Sequence, residues 1–249
     1  MKIFVKKPGI RGIFLITFFL FFGHRFLNST PVFKIIQSAE ADLDGDGIPE
    51  KVSVSQITEH GDFLLTIDKI SVKGKVGLEK VDGFAVVDID TSDRYKEIAI
   101  HNPGPSDDDE YLIYWYDGKS IKEMGLLSRW PKFLGNGTVI VGDWMGFWMR
   151  KKLYVLSNET RTLKIIPQEF YYVGIGTTVK ESFPLYETRN ESKIVTYLTP
   201  KSKIFILLSD WPSEERMGKG WFLIKSEGDV IGWTRKLSHD TVENLPVAD

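Results

Sequence analysis

The stretch "ADLDGDGIPEKVSV", residues 41–54, concentrates four carboxylates in a short loop and then turns at once into a strand-like run. Three aspartates occupy every second position, Asp42, Asp44 and Asp46, and Glu50 closes the series. Gly47 permits the sharp turn that brings them together, because glycine tolerates a positive φ. Without a cation, carboxylates this close repel one another and destabilise the turn. The pattern therefore predicts a loop that holds a metal ion and leads into a β-strand.

The type and spacing of the ligands favour Ca²⁺, which takes about six to eight oxygen ligands in a flexible geometry. An EF-hand is not expected, because its closing glutamate would fall on Ser53 and because a strand follows the loop where a helix would be needed. The alternative is a solvated Asp/Gly turn without metal. The predicted ligands of this structural calcium ion are the side chains of Asp42, Asp44, Asp46 and Glu50 and the backbone carbonyl of Ile48.

A weak internal repeat of this motif lies at "VDIDTSDRYKEIAI", residues 87–100. At a fixed offset of 46 residues, Asp88 aligns with Asp42 and Asp90 with Asp44, and a strand follows in both copies. A repeat of about this length typically means that one supersecondary unit is stacked on another.

The second copy is a poorer metal loop at that offset, because Ser92 replaces the third aspartate and Lys96 replaces the last acid. Glu97 and the acidic run 107–110 are candidates to compensate. The second candidate ligand set is therefore Asp88, Asp90 and Glu97, and the alternative is a purely structural turn.

Beyond these loops the chain has the pattern of an all-β protein. Short apolar or alternating runs recur at about 8 to 12 residues and are separated by Gly, Asp, Asn and Ser, which is typical of sandwiches, barrels and propellers. Residues 31–176 carry a net charge of −6 and residues 177–239 a net charge of +2, and two glycines interrupt the strand pattern near residue 175. We expect a β-repeat domain at 36–175 and a small barrel at 177–240.

The C-terminal part contains the stretch "KGWFLIKSEGDVIGWTRKL", residues 219–237. It predicts a strand from Trp221, a tight turn at Gly228 and a return strand ending near Trp233. With three upstream runs this makes five short strands in about 60 residues, which suits a small closed barrel.

Both regions resemble known families. Residues 41–54 are similar to the FG-GAP, or VCBS, repeats of extracellular β-propellers, in which a loop of alternating aspartates between strands holds calcium. About 140 residues are too few for a full propeller, so a partial, propeller-like domain is expected. Gly220-Trp221, Ile224, Gly228 and Gly232-Trp233 resemble the bacterial SH3-like (SH3b) pattern. That family implies binding of cell-wall peptide or polysaccharide, or a passive spacer.

The N-terminus indicates export. Residues 1–30 hold five Lys or Arg and no acidic residue, and the apolar run Ile13–Phe22 follows the first four. This charge pattern predicts a signal peptide, or an uncleaved helical membrane anchor, within residues 1–30, and an extracytoplasmic remainder. The chain has no cysteine, which excludes a disulfide framework and a thiol nucleophile. Without the first 30 residues the net charge is −7, which argues against a nucleic-acid partner.

No convincing catalytic constellation is present. The best enzyme hypothesis pairs His101 with Asp107 or Asp108 in one loop. Three tryptophans, Trp144, Trp148 and Trp211, are candidate ligand contacts, although Trp144 and Trp148 also suit a hairpin corner folded onto the core. The sequence therefore predicts an exported, non-catalytic binding or assembly protein that engages the cell wall or another surface protein. The alternative is an extracellular hydrolase or its accessory subunit.

Overall fold

The computed structural model describes residues 34–105, 108–129, 131–211 and 220–247. Every named element in these ranges is a β-strand, which confirms the all-β prediction. Among these residues, no helix has the length and apolarity needed to cross a membrane. The predicted signal or anchor helix at residues 1–30 lies outside the described residues.

Three four-stranded antiparallel sheets form the first part of the chain, and in each the strands are neighbours in chain order. The first meander contains β1 (Ser38–Ala41), β2 (Glu50–Gln56), β3 (Asp62–Ile67) and β4 (Ile70–Lys75). The second contains β5 (Gly83–Val87), β6 (Glu97–Asn102), β7 (Glu110–Tyr116) and β8 (Ile121–Ser128). The third contains β9 (Lys132–Phe133), β10 (Thr138–Trp144), β11 (Met149–Ser157) and β12 (Thr162–Ile166).

The residue pattern of each strand reflects which of its faces is covered. In β3, alternate residues Phe63, Leu65 and Ile67 are fully buried, as expected for a strand with one face on the core. In β6 every residue is buried, because the second meander packs against the first on one face and against the third on the other. Ile98 and Ile100 face the first meander, and Ala99 faces the third. Two hydrophobic cores therefore hold the three meanders together.

The rest of the chain forms one seven-stranded antiparallel sheet, the C-terminal sheet, which is curled into a half-barrel. Its spatial order is β15-β14-β18-β17-β16-β13-β19. The strands are β13 (Tyr171–Val179), β14 (Phe183–Tyr186), β15 (Ile194–Leu198), β16 (Lys203–Ser209), β17 (Phe222–Ser226), β18 (Ile231–Thr234) and β19 (Val242–Glu243).

The predicted boundary between the β-repeat domain and the small barrel, at residues 175–177, falls inside β13. This strand pairs with β16 from Tyr171 to Thr178, and the register shifts between Tyr172 and Ile175. Gly174 has a φ of 73° at that point. Gly174 thus lies in a β-bulge within a continuous strand, whereas Gly176 pairs regularly with Phe205.

A third core joins the third meander to the C-terminal sheet. The β10–β11 turn inserts Met145, Phe147 and Trp148 among the buried residues of the C-terminal sheet. The Phe147 ring lies 5.6 Å from that of Phe222, which itself lies 6.1 Å from that of Trp211. The aromatic turn at residues 144–149 is therefore a contact between the two parts of the fold.

Candidate metal centre

The first acidic loop joins β1 to β2 and brings three carboxylates together. Oxygen atoms of Asp42, Asp44 and Asp46 all lie within 4.8 Å of one another. Asp44 is buried, at 8% exposure, whereas Asp46 is exposed. The three aspartates that the sequence predicted as ligands thus converge on one point.

The backbone of the loop holds these carboxylates in place. Both oxygens of Asp42 accept hydrogen bonds, from the N–H groups of Gly45 at 2.8 Å and Gly47 at 3.1 Å. Asp44 Oδ1 accepts from the N–H of Asp46 at 3.0 Å. Gly47 has a φ of 89°, a conformation that other residues rarely adopt, which confirms the sharp turn. These hydrogen bonds fix the orientations of the Asp42 and Asp44 carboxylates. Asp44 Oδ2 accepts no hydrogen bond from the loop itself.

Glu50 and Ile48 take different positions from the three aspartates. Glu50 Oε2 accepts a hydrogen bond of 2.8 Å from the N–H of Leu43, and the Glu50 residue is 6% exposed. Burial raises the pKa of Glu50, while the bond from Leu43 opposes that shift. The Ile48 side chain is exposed, and its N–H donates to Asp46 Oδ1 at 2.8 Å. Glu50 therefore ties the start of β2 to the loop, on the inner side of the cluster.

The second meander covers the first loop. Gly118, in the β7–β8 hairpin, has a φ of 86°, and a Cβ atom there would overlap Asp44 Oδ2. Leu43 O accepts a hydrogen bond of 3.0 Å from Lys96 N–H. In the part of the chain that the structure describes, no ion pair engages Asp42, Asp44 or Asp46. The three aspartates offer only carboxylate oxygens as metal ligands, and such ligands suit a hard divalent cation.

The second acidic loop, between β5 and β6, repeats the hydrogen bonds of the first. Asp90 Oδ1 accepts from Ser92 N–H at 3.1 Å, as Asp44 does from Asp46. Glu97 Oε2 accepts from Ile89 N–H at 3.1 Å, as Glu50 does from Leu43. The internal repeat is therefore present in space as well as in sequence.

The fixed offset of 46 residues is wrong after Asp90, because the second loop is one residue longer. Asp93 Oδ1 accepts from Tyr95 N–H at 2.8 Å, two residues on, as Asp46 does from Ile48. Asp93, which a fixed offset places opposite Gly47, thus corresponds to Asp46, and Glu97 to Glu50. Ser92 therefore repeats only the N–H bond of Asp46, and Lys96 does not take the place of Glu50.

The second loop already contains a cation. Arg161, just before β12 in the third meander, lies with Nη1 2.7 Å from Asp93 Oδ2 and Nη2 3.1 Å from Glu97 Oε1. Burial raises the pKa of Glu97 to about 7, against the bond from Ile89 and the charge of Arg161, which lower it. Burial also raises the pKa of Asp88, whose buried Oδ1 has no hydrogen-bond partner within the described ranges. The sequence missed Arg161, because nothing local links it to a loop so far away in the chain.

The acidic run at 107–110 does not complete the second loop. The run leads into β7, which pairs with β6 in antiparallel fashion. Glu97 begins β6, whereas Glu110 pairs with Asn102 at the far end of that strand. Asp108 forms an ion pair with Arg129. Asp107 lies outside the described residues. The antiparallel geometry thus separates these acids from the loop by the length of a strand.

His101 has two carboxylate neighbours among the described residues. Neither of them is Asp108, which the sequence predicted as a partner. Its Nδ1 lies 2.7 Å from Asp82 Oδ1 and its Nε2 lies 3.3 Å from Asp109 Oδ2, while the Tyr111 ring packs 4.8 Å away. The pairing with Asp108 is wrong, because Asp108 is bound to Arg129. Burial alone would lower the pKa of His101, but the hydrogen bonds and charges of Asp82 and Asp109 outweigh it and raise the pKa.

We expect His101 to stabilise the fold at low pH. Because its pKa is higher in the folded state, the stabilisation is complete below the unfolded value of about 6.5 and is lost as the pH rises through the folded-state pKa. The free energy of unfolding of His101→Gln should therefore depend less on pH than that of the wild type. Urea denaturation at pH values from 5 to 8 measures this difference.

Asp82→Asn is the matched variant, because Asp82 provides the strongest contribution that raises the pKa of His101. It should flatten the pH profile in the same direction. Glu97 also titrates in this range but is unchanged in both variants. Parallel pH profiles for the wild type and His101→Gln would contradict the assignment.

The tryptophans predicted as ligand contacts are mostly buried. Trp148 is 2% exposed and Trp211 is 7% exposed, and both belong to the core between the third meander and the C-terminal sheet. Trp144, at the end of β10, is half-buried. The expectation that Trp148 and Trp211 are surface contacts is therefore corrected, because the packing of the two parts covers both rings.

A different set of side chains forms an apolar surface. Directly paired residues of antiparallel strands share one face, so the register defines a row that crosses six strands of the C-terminal sheet. Its end members, Tyr172 and Ile194, are 68% and 42% exposed. The row consists of Tyr172, Leu208, Leu223, Trp233, Tyr186 and Ile194.

We call this set the apolar row. Arg189 covers part of the row, since its guanidinium lies over the ring of Trp233 as well as that of Phe170, and it pairs with Glu169 and Asp210. The sequence does not reveal the row, because its members come from six separate strands. The apolar residues of each strand become one surface only through the register.

The chain was compared with protein-family models, with curated proteins and with solved structures, and none of the three comparisons gives a match.

Proposed function

We propose that this protein is an exported, non-catalytic binding or assembly protein whose fold is stabilised by calcium at the first acidic loop. The observation that carries the proposal is the convergence of Asp42, Asp44 and Asp46 in a loop whose carboxylates, unlike those of the second loop, form no ion pair among the described residues. The charge of Arg94 acts on Asp44 and Asp46 without pairing with them. Ca²⁺ is the proposed ion, because it accepts several carboxylate and carbonyl oxygens in irregular geometry. The carbonyl of Ile48 and the carboxylate of Glu50 complete the proposed ligand set.

We propose a propeller-like arrangement for the first three sheets. Four-stranded meanders packed face to face are the unit of a β-propeller, and both acidic loops occupy the same place, between the first and second strands of their sheets. Three such units are fewer than a closed ring needs. The C-terminal sheet packs on the third meander and, in this proposal, covers the open side with an SH3-like half-barrel.

An extracytoplasmic location is part of the proposal. It is supported by the basic and then apolar N-terminus, which suits a signal peptide or a membrane anchor. Calcium binding fits this location, because extracellular modules bind calcium with dissociation constants of about 10⁻⁴ to 10⁻³ M.

The proposed binding surface is the apolar row together with the Arg189 side chain that lies over Trp233. A protein surface that exposes contiguous apolar and aromatic side chains typically serves to bind a partner. The proposed partner is a cell-wall peptide or polysaccharide, or another surface protein. A hydrolase is the less favoured function, because Asp82 and Asp109 already occupy both ring nitrogens of His101.

A sedimentation assay with purified cell wall tests the proposed binding. The double variant Tyr172→Ser and Ile194→Ser removes the two exposed ends of the apolar row and should weaken binding about tenfold, the effect of losing roughly 1.4 kcal/mol of contact energy. Leu78→Ser is the matched control, because Leu78 is 78% exposed and lies outside the C-terminal sheet. Equal binding by all three proteins, or none by the wild type, would reject this surface.

A further inference from the structure

The two acidic loops share a backbone but differ in what faces their carboxylates. In both, N–H groups of the loop engage one oxygen of the third aspartate and one oxygen of the closing glutamate. The oxygens that remain are Asp46 Oδ2 and Glu50 Oε1 in the first loop. Their counterparts in the second loop are Asp93 Oδ2 and Glu97 Oε1.

Arg161 binds those two remaining oxygens of the second loop. Its Nη1 contacts Asp93 Oδ2 at 2.7 Å and its Nη2 contacts Glu97 Oε1 at 3.1 Å. The side chain of Arg161 is only 11% exposed and that of Glu97 only 1%. A guanidinium that bridges two carboxylates in this way neutralises charge that would otherwise repel.

Two aromatic rings also contact the side chain of Arg161. The guanidinium lies 5.0 Å from the centre of the Tyr95 ring and 5.1 Å from that of Trp115. These two rings meet edge to face at 5.3 Å. Stacking on aromatic faces favours a cation and restricts where it can move. The contacts thus come from the second loop and from β7 as well as from the two carboxylates.

The neighbouring sheet supplies the covering turn in both cases. The first loop is covered by the β7–β8 turn, where Ser120 precedes β8. The second loop is covered by the β11–β12 turn, where Arg161 stands in the same place before β12. Arg161 and Ser120 thus both stand directly before the last strand of their sheet. Of the two, only Arg161 has a positive φ, of 47°, and only its side chain carries a charge to the covered loop.

We infer that Arg161 is the built-in cation of the second acidic loop, so that the chain binds a divalent ion at the first loop and none at the second. This rests on the proposed calcium site of the first loop. It explains why both loops keep their acidic residues, since each set of carboxylates has a positive partner. It also makes Arg161 the residue that determines how many ions the protein takes.

The test counts bound calcium by equilibrium dialysis against millimolar calcium. The wild type should bind one ion and Arg161→Ala two. Asp44→Asn should bind none, and the double variant Asp44→Asn, Arg161→Ala should bind one. Arg161→Lys keeps the charge and should match the wild type.

Thermal unfolding in calcium and in chelator checks the same assignment. Calcium should raise the melting temperature of the double variant but not that of Asp44→Asn alone. Arg161→Gln, which fills more of the space, gives a second neutral variant if Arg161→Ala does not fold.

The outcomes separate this inference from the proposed function. A gain of one calcium ion by the double variant over Asp44→Asn supports Arg161 as the cation even if the wild type binds none. In that case the calcium site of the first loop fails and this inference stands. If neither Arg161→Ala nor Arg161→Gln binds more calcium than the wild type, and calcium does not stabilise the double variant, the inference is overturned.

Discussion

Replacing Arg150 with alanine is expected to lower the free energy of unfolding by about 3–5 kcal/mol, the typical cost of removing one partner of a buried ion pair. Arg150 is 3% exposed and lies directly opposite Asp143, across strands β11 and β10. Its Nε donates to Asp143 Oδ2 at 3.1 Å and its Nη1 to the carbonyl of Trp211 at 3.2 Å. Its guanidinium also lies 5.5 Å from the centre of the Tyr171 ring.

The cost is large because one side chain serves both parts of the fold. Without it, the carboxylate of Asp143, which is 16% exposed, is left with Lys152 Nζ, at 3.6 Å, as its ion-pair partner among the described residues. The Trp211 carbonyl, at the junction with the C-terminal sheet, also loses its donor. A buried polar group without a partner costs more than its hydrogen bond contributes, because the group has given up water.

Urea denaturation followed by tryptophan fluorescence measures this effect. Lys152→Ala is the matched control, because it removes the weaker and longer contact to the same oxygen, and should cost less than about 1 kcal/mol. The double variant Asp143→Ala, Arg150→Ala should lose less than the sum of the single variants, since neither charge is then left alone. A loss below 1 kcal/mol for Arg150→Ala would show that the pair does not hold the junction.

Calcium is expected to stabilise the wild-type protein by about 1.4 kcal/mol at a free concentration ten times the dissociation constant, if it binds only the folded chain. For a chain of this size the melting temperature should rise by roughly 3–6 °C. The physical reason is the cluster of Asp42, Asp44 and Asp46, whose mutual repulsion a divalent ion would relieve.

Asp44→Asn should remove the calcium-dependent rise in melting temperature at millimolar calcium. Asp44 is the buried member of the cluster, and asparagine keeps its shape and its Oδ1 acceptor while removing the charge. Asp90→Asn is the matched control, because Asp90 accepts the equivalent hydrogen bond in the loop that Arg161 closes, and it should leave the calcium effect unchanged. Superimposable melting curves of the wild type in calcium and in chelator would mean that the carboxylates are merely solvated.

The local features of this fold can be predicted from consecutive residues. The alternating apolar residues of β3 indicate a strand with one buried face, because side chains alternate between faces along a strand. The three aspartates and Gly47 predict a tight loop, because Asp side chains bond to N–H groups two residues on and glycine accepts a positive φ. These interactions join near neighbours, so the sequence by itself determines them.

Only the tertiary structure decides which distant groups meet. Asp93 and Glu97 take the places of Asp46 and Glu50 because the second loop has one extra residue, which a fixed offset along the chain hides. Arg161 reaches Asp93 across 68 residues because the third meander packs on the second. In the same way Trp211, which was expected at the surface, and Trp148, for which the local sequence left both places open, are buried because the C-terminal sheet closes over the β10–β11 turn. Burial and ion pairing depend on which faces pack together, and that information is spread over the whole chain.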